Sequence, residues 1–142
     1  MEIRKLTIKD YAALTELWTK AGLSFKPKVR DSRESIAAQL KAYPDFFFGV
    51  FEDGKLVGAI LLSSDLRRGW INRLAVDPDC RRCGVAKALI AEAEKILREK
   101  GLRIFCVQIE ADNVASKELF KNCGYVEHDD VIYFSKRDSN EV

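Results

Sequence analysis

The chain has 142 residues, of which 47% are hydrophobic and 32% charged, a composition typical of one soluble globular domain. Its 24 basic and 22 acidic residues leave a net charge of +2, which excludes the strongly basic footprint of a general nucleic-acid binder. No apolar run reaches the roughly 18 residues that a membrane helix requires, and the amino end is charged where a signal peptide is apolar. We therefore expect a single cytoplasmic domain over residues 1–142, with no nucleic-acid or membrane partner.

The first third of the chain predicts one strand and two helices. The opening residues alternate as in a short strand, and Thr7-x-x-Asp10 then has the form of a capping box at the start of a helix. Asp31-x-x-Glu34 predicts the start of a second helix, which Pro44 ends. Both helices carry an apolar stripe along one side.

The remainder predicts mostly strands around one long helix. Two apolar runs flank Asp53-Gly54, the dipeptide that most strongly indicates a two-residue hairpin. The later pattern predicts a strand at 69–77, a helix at 84–100, a strand at 103–110, a short helix at 113–125 and one or two last strands at 126–137. The order β-α-α-β-β-β-α-β-α-β predicts an α/β (α+β) fold. Its mixed central sheet is antiparallel in the first half and closes with one right-handed βαβ crossover.

The chain has four cysteines, Cys80, Cys83, Cys106 and Cys123, which in a non-secreted protein are expected to be reduced thiols. The Cys80-x-x-Cys83 spacing is half of a zinc knuckle or a redox pair. A structural zinc site needs a second ligand pair at similar spacing, and neither the other two cysteines nor the single His128 forms one. We therefore expect no metal site. A zinc or redox domain that uses Cys80 and Cys83 is a third hypothesis, beside the two functions given at the end of this section.

The segment "RRCGVA", from Arg81 to Ala86, runs directly into the long predicted helix. A helix N-terminus offers unpaired N–H groups and a positive dipole end to phosphate, and small residues let a diphosphate approach. The alternative is an ordinary turn glycine between solvated arginines. Composition does not separate the two, although basic residues crowd this part of the chain: Arg67, Arg68, Arg73, Arg81, Arg82 and Lys87.

Position and neighbouring motifs favour phosphate. The chain resembles the GNAT superfamily of acetyl-CoA-dependent N-acetyltransferases, whose signature [Q/R]-x-x-G-x-[G/A] opens the central helix and is matched by "RRCGVA". The preceding strand, "LAVDPDCR", and the later "NVASKELFKNCGY" also match the family pattern. The resemblance covers the whole chain in element order, and its motifs lie between Leu74 and Tyr125. It implies a GNAT-like sheet whose two central parallel strands splay apart to admit the cofactor.

The resemblance also implies a set of residues that bind acetyl-CoA. The main chain of the strand before the loop would bind the acetyl and pantetheine parts, and the loop and helix start would bind the diphosphate. Asn113 would contact the cofactor or the substrate, or else cap the following helix. The cofactor-binding set is Leu74, Ala75, Val76, Arg81, Arg82, Cys83, Gly84, Val85, Ala86, Lys87, Asn113 and Phe120.

The chain departs from its relatives at the proton-transfer positions. Many family members have a tyrosine acid where this chain has Phe120, and some have a glutamate base where it has Gln108. Glu110 shares the strand face of Gln108 and is our candidate base, although an exposed strand-end carboxylate would look the same. Tyr125 and Tyr133 are candidate acids, or else core and rim aromatics.

The sequence thus predicts transfer of an acetyl group from acetyl-CoA to a primary amine of a small molecule or a peptide, by direct attack in a ternary complex. A non-catalytic acyl-CoA sensor is the alternative, because Phe120 and Gln108 replace two familiar catalytic groups. A weak base favours an amine of lowered pKa. Lys26, Lys28 and Arg30 could attract an acidic acceptor, or could simply be solvated. The acceptor itself is not specified, and a homodimer is plausible because relatives often pair.

Overall fold

The structure is a computed structural model that describes residues 1–81 and 83–142; Arg82, one of the predicted phosphate-binding residues, lies outside the described residues. The described strands form one sheet in the order β1-β2-β3-β4-β5. These are β1 Glu2–Lys5, β2 Phe47–Glu52, β3 Lys55–Ser64, β4 Gly69–Val76 and β5 Phe105–Val107. The α-helices are α1 Tyr11–Lys20, α2 Arg33–Ala42, α3 Val85–Glu99 and α4 Val114–Asn122.

The first four strands are paired antiparallel, and β5 joins β4 in parallel after the α3 crossover. The mixed sheet predicted from the element order is confirmed. The turn between β2 and β3 has Asp53 at φ 50° and Gly54 at φ 77°, the two positive angles that a type I′ hairpin requires. The capping box is also present, with Thr7 and Asp10 closing a 3-10 turn directly before α1.

Helices cover both faces of the sheet. The apolar stripe of α1 packs on one face through Leu14, Leu17 and Trp18, all buried. Helix α3 packs on the opposite face, and two glycines let it approach closely. A Cβ built on Gly58 would lie 2.5 Å from Val85, and one on Gly69 would lie 2.6 Å from Leu97. Side chains at those two positions would push α3 away from β3 and β4.

A β-bulge alters the direction of side chains in the middle of β4. Leu61 pairs with Arg73 while Leu62 pairs with Ile71, so Asn72 is the extra residue. Asn72 donates to Ser63 Oγ at 2.7 Å, on the same face as the side chain of Arg73. The bulge therefore places two consecutive side chains on the face that α1 covers.

Strands β4 and β5 pair only along their first residues. Their register runs from Gly69 with Phe105 to Ile71 with Val107, and no further pair joins them among residues 1–81 and 83–142. Within this described part, the last five residues of β4 therefore have β3 on one side and no strand on the other. The family resemblance implies two central parallel strands that splay apart. Strands β4 and β5 do separate after Ile71 and Val107, but β5 is the edge strand of the described sheet, not a central one, and it is much shorter than the predicted strand at 103–110.

Two sequence predictions are wrong. Asp31 does not cap α2; Ser32 does, accepting from Ser35 N at 3.1 Å, while the buried Asp31 carboxylate accepts from Lys26 N at 2.7 Å. The second error is the terminal strand at 126–137, because the described residues contain no strand after β5. An alternating sequence favours a strand only where a neighbouring strand can pair with its backbone. Here the neighbouring edge would be β5, which has only three residues. No described helix is long and apolar enough to cross a bilayer.

Candidate active site

The gap between β4 and β5 exposes main-chain donors of β4. Asp77 N donates to Val57 O at 2.8 Å, so in this antiparallel pair the groups of Ala75 also face β3. By the alternation of a strand, the N–H groups of Leu74 and Val76 point the other way, toward the gap. Of the three predicted main-chain positions, two therefore face the opening, while the N–H of Ala75 faces β3.

A second group of open donors lies at the start of α3. The first helical bond is Ala88 N to Gly84 O at 3.0 Å, so the N–H groups of Val85, Ala86 and Lys87 have no acceptor within the helix. Gly84 is the N-cap at φ 80° and offers no capping side chain. The first turn contains no acidic residue. These are the features that an anion at a helix N-terminus requires.

The two groups of donors are neighbours. Val76 at the end of β4 pairs with Gly58, and Gly58 is the residue against which Val85 packs. The gap in the sheet therefore opens directly beside the first turn of α3. Arg81, Cys83 and Lys87 are exposed around that turn.

Asp77 holds the connection between β4 and the loop. Its carboxylate is 1% exposed, accepts from Asp79 N at 2.9 Å and lies 3.0 Å from Lys20 Nζ and 3.4 Å from Lys55 Nζ. The Asp79 N–H and the Lys20 ammonium lower the pKa of Asp77 to about 2. The sequence indicates only a turn here, because Asp before Pro is a recognised turn signal; the ion pairs of Asp77 with Lys20 and Lys55 join residues that are distant in the chain.

Helix α4 places the other residues of the predicted set. Asn113 is its N-cap and accepts from Ser116 N at 3.1 Å through its side chain, so the capping role is present. Phe120 is buried, with Tyr125 packed edge-on at 5.1 Å. The Tyr125 hydroxyl donates to Glu94 at 2.9 Å. Burial, followed by this hydrogen bond, raises the pKa of Tyr125 well above its usual value.

The remaining candidates for proton transfer are exposed. Gln108 and Glu110 follow β5 where it has already left β4, and both are exposed. Glu110 is tied to Asn113 only through its carbonyl, which accepts from Asn113 N at 2.9 Å. Tyr133 is 65% exposed. No contact in the described residues brings Glu110, Tyr125 and Tyr133 together.

All four cysteines are free thiols. Burial, and then the charge of Asp77, raises the pKa of Cys80, which makes its thiolate scarce at neutral pH. Cys83 is exposed. No group of three or more His, Cys, Asp or Glu in the described part of the chain could hold a metal ion.

Arg73 on β4 forms a cluster with residues of α1 and of the loop that follows it. Its guanidinium carbon lies 4.4 Å from the ring centroid of Trp18, and Nη2 donates to the Ser24 carbonyl. Asp31 Oδ2 lies 3.9 Å from the same nitrogen. These residues are far apart in the chain, and no local motif could have indicated that they meet.

Comparison with known proteins identifies the family. Residues 11–125 match the model of the acetyltransferase (GNAT) family. The chain is a GNAT acetyltransferase family member. It is 32% identical to an acetyltransferase of Sodalis glossinidius over 96% of this chain and 95% of the relative. It is 33% identical to an acetyltransferase of Photorhabdus laumondii, with the same coverage.

A solved structure agrees with the fold of this GNAT protein. The PaiA N-acetyltransferase of Thermoplasma acidophilum, in complex with coenzyme A, is 26% identical, with a TM-score of 0.75. The match covers 86% of this chain and 87% of that one. The family resemblance stated from the sequence motifs is therefore confirmed, and the open strand and helix start lie within the matched residues.

Proposed function

We propose that this chain is an N-acetyltransferase that moves the acetyl group of acetyl-CoA onto a primary amine of a small molecule or a peptide, by direct attack in a ternary complex. One observation carries the proposal: the open edge of β4 lies beside the open first turn of α3. A thioester needs donors at its carbonyl, and a diphosphate needs donors at its oxygens. The relative from Thermoplasma acidophilum was crystallised with coenzyme A, which supports coenzyme A as the donor here.

The diphosphate would bind the N–H groups of Val85, Ala86 and Lys87, because they have no acceptor within the helix. Gly84 would keep the approach open, since it carries no side chain. Arg81 and Arg82 would supply charge and Cys83 a further N–H group. The pantetheine arm would lie along Leu74, Ala75 and Val76, with Asn113 and Phe120 on the opposite side of the gap.

In the reaction, the amine nitrogen attacks the thioester carbonyl carbon, the C–S bond breaks and the thiolate takes a proton. The N–H of Leu74 or Val76 would stabilise the oxyanion as a preorganised donor. Glu110 is our candidate base. Tyr125 is our candidate acid, and it would have to leave Glu94 to act. Holding both substrates in line lowers the barrier even with weak proton-transfer groups.

Weak proton transfer constrains the acceptor. An amine with a pKa of about 8, as in an α-amino group, is neutral far more often at pH 7 than a lysine side chain at about 10.4. We therefore propose an acceptor amine of lowered pKa. Equal kcat/KM values for an α-amine and a lysine side chain at matched binding would contradict this.

Two glycines at the two ends of α3 provide a matched test. Gly84 has φ 80° and Gly101 has φ 86°, and a Cβ on either meets no atom of the described residues within 4 Å. Gly84→Glu and Gly101→Glu should cost similar backbone strain, on the order of 1–2 kcal/mol. Only Gly84→Glu puts a carboxylate beside the proposed diphosphate amides. In calorimetric titration with acetyl-CoA, it should lower affinity at least 100-fold while Gly101→Glu binds as the parent does.

A non-catalytic acyl-CoA sensor is the second candidate, because the buried Phe120 has no hydroxyl and the Tyr125 hydroxyl is bonded to Glu94. Both functions predict cofactor binding, so turnover separates them. Thiol release from acetyl-CoA with a panel of amines and peptides supports the enzyme. Tight binding with no release on any amine supports the sensor. Equal binding by the two glycine variants would contradict both.

A further inference from the structure

We propose that the acceptor is an amine that also carries a carboxylate, and that Arg73 on β4, together with Trp18 on α1, binds this carboxylate. The inference rests on the proposed function, because it names the second substrate of the same reaction. It concerns the face of the sheet opposite α3, which has no role in the coenzyme A site.

Two neighbouring buried N–H donors carry the argument. Nη1 of Arg73 and Nε1 of Trp18 are both buried and have no hydrogen-bond partner among the described residues. Trp18 is 0% exposed and the Arg73 side chain 14%. Stacking on the indole uses the face of the guanidinium and leaves its in-plane N–H groups free. Buried donors are nearly always paired, so two adjacent ones without partners indicate that an acceptor group binds there.

Acceptors of the chain itself satisfy only some of the N–H donors of Arg73. The Ser24 carbonyl accepts from Nη2 of Arg73. Asp31 Oδ2 lies 3.9 Å from that nitrogen, beyond hydrogen-bond distance, and already accepts from Lys26 N. Nη1 is left over. A guanidinium and an indole can only donate, so their partner must accept, and a carboxylate offers two oxygens, one for Nη1 of Arg73 and one for Nε1 of Trp18.

The location suits an acceptor substrate. Arg73 directly precedes Leu74, whose N–H faces the gap, and the bulge at Asn72 sets Arg73 on the α1 face. The diphosphate would bind at α3 on the other face. The acceptor would therefore enter from the side opposite the cofactor, with its carboxylate on Arg73 and its amine at the gap.

The loop over Arg73 is positively charged. It carries Lys26, Lys28 and Arg30 against the single Asp31. Lys28 Nζ already lies 2.8 Å from a carboxylate oxygen of Glu141, and Lys26 Nζ donates to the carbonyl of Asn140 at 2.7 Å. With Glu141 counted beside Asp31, one positive charge remains in excess on this loop, and together with Arg73 it favours the approach of an anionic acceptor.

The test compares amines with and without a carboxylate, with each kcat/KM referred to the neutral form of the amine, because a neighbouring carboxylate raises the amine pKa. Glycine, β-alanine, 4-aminobutyrate and the standard α-amino acids are each assayed beside the corresponding carboxamide, with thiol release from acetyl-CoA as the readout. O-phosphoethanolamine is included as an anionic amine without a carboxylate. We expect at least one acid to exceed its carboxamide at least tenfold in kcat/KM, because a site built for a hydrogen-bonding group discriminates strongly against an analogue that lacks it.

Variants assign the preference to Arg73. Arg73→Gln should bring the acid-to-carboxamide ratio to within about twofold of one, whereas Arg73→Lys keeps the charge, loses the fork and should retain part of the ratio. Arg103→Gln, at an exposed arginine before β5, removes the same charge elsewhere and should leave the ratio as in the parent. Thermal melts and acetyl-CoA titrations establish that each variant is folded and binds the cofactor.

Three results would overturn the carboxylate inference and leave the proposed acetyltransferase intact. These are turnover of amines with no preference for acids, a preference for O-phosphoethanolamine, and an Arg73→Gln protein that keeps the acid-to-carboxamide ratio. Failure of every amine with the parent, despite acetyl-CoA binding, would overturn the proposed function and the inference with it. Should Arg73→Gln fail to fold, the ratio measured with Arg73→Lys and Trp18→Phe decides instead.

Discussion

The two halves of the sheet differ in how completely they are paired. From β1 to β4 the strands are continuous, and Phe47, Phe48, Val50 and Ile60 are each at most 3% exposed. On the other side, β5 pairs with β4 over its three residues and then leaves. The first half satisfies its own backbone and builds the core. The second half leaves main-chain donors open, as expected where binding residues are held by a rigid scaffold.

The largest expected effect tests the core half directly. Ile60→Ala, at a residue that is 0% exposed, should lower the free energy of unfolding by about 2–5 kcal/mol through lost burial and a cavity. Ile104→Ala, just before β5 and at a residue 51% exposed, should change it by less than about 0.5 kcal/mol. Urea unfolding of both variants measures the difference, and equal losses would contradict the division.

The connection between the halves depends on Asp77. Its pKa is lowered to about 2 in the folded protein, below the value of about 3.9 expected when unfolded. Its stabilising contribution should therefore be complete above about pH 4 and decline as the pH falls toward 2. Asp77→Asn should lower Tm by several degrees at pH 7, and this difference should shrink steadily below pH 4.

Asp79 provides the control for that experiment. Its carboxylate also contacts Lys20, at 3.3 Å, but its side chain is 80% exposed. Asp79→Asn should therefore shift Tm by no more than about a degree across the same pH range, since exposed ion pairs contribute little. Equal shifts for the two variants would show that burial of Asp77 is not what stabilises this connection.

A smaller effect is expected from Tyr125, which links α4 to α3. Tyr125→Phe removes the hydrogen bond to Glu94 and should cost about 1 kcal/mol of unfolding free energy. If the hydroxyl is also the acid of the reaction, kcat should fall and the alkaline side of its pH profile should change. A loss of stability with unaltered kinetics would show that the hydroxyl binds Glu94 and takes no part in proton transfer.

The smallest effect should come from the contact between the loop after α1 and the end of the chain. Lys28 and Glu141 are paired at 2.8 Å, but their side chains are 70% and 60% exposed. A double-mutant cycle with Lys28→Met and Glu141→Gln should give a coupling of about 0.2–1 kcal/mol that disappears in high salt. A larger coupling free energy would contradict the expectation that this exposed ion pair contributes little to the stability of the protein.

Local signals predicted most of the fold. The hairpin at Asp53-Gly54, the capping box at Thr7 and the long helix after Gly84 each depend on neighbouring residues, and each formed as predicted. The Ser32 cap was missed because Asp31 is an equally good capping residue by type. The terminal strand was wrong because pairing depends on a partner edge that no local pattern describes.

The candidate site divides in the same way. The helix start at Gly84 could be predicted because its motif is contiguous. The choice of Leu74 and Val76 over Ala75 as gap-facing donors depends on strand register, and the Arg73 cluster depends on contacts across some fifty residues of chain, from Ser24 to Arg73. The bulge at Asn72 that aims Arg73 has no sequence signature of its own. Long-range geometry therefore supplied what motifs could not.

The close packing of α3 on two glycines of the sheet has a consequence for engineering this protein. With Val85 packed at Gly58 of β3 and Leu97 packed at Gly69 of β4, the spacing between α3 and this pair of strands depends at both ends of the helix on the absence of a side chain. An alanine at Gly58 would tilt the helix at its amino end and shift the N–H groups of the first turn of α3 relative to those of Leu74 and Val76. Under the proposed function, the affinity for acetyl-CoA and the position of its thioester carbon would then change separately.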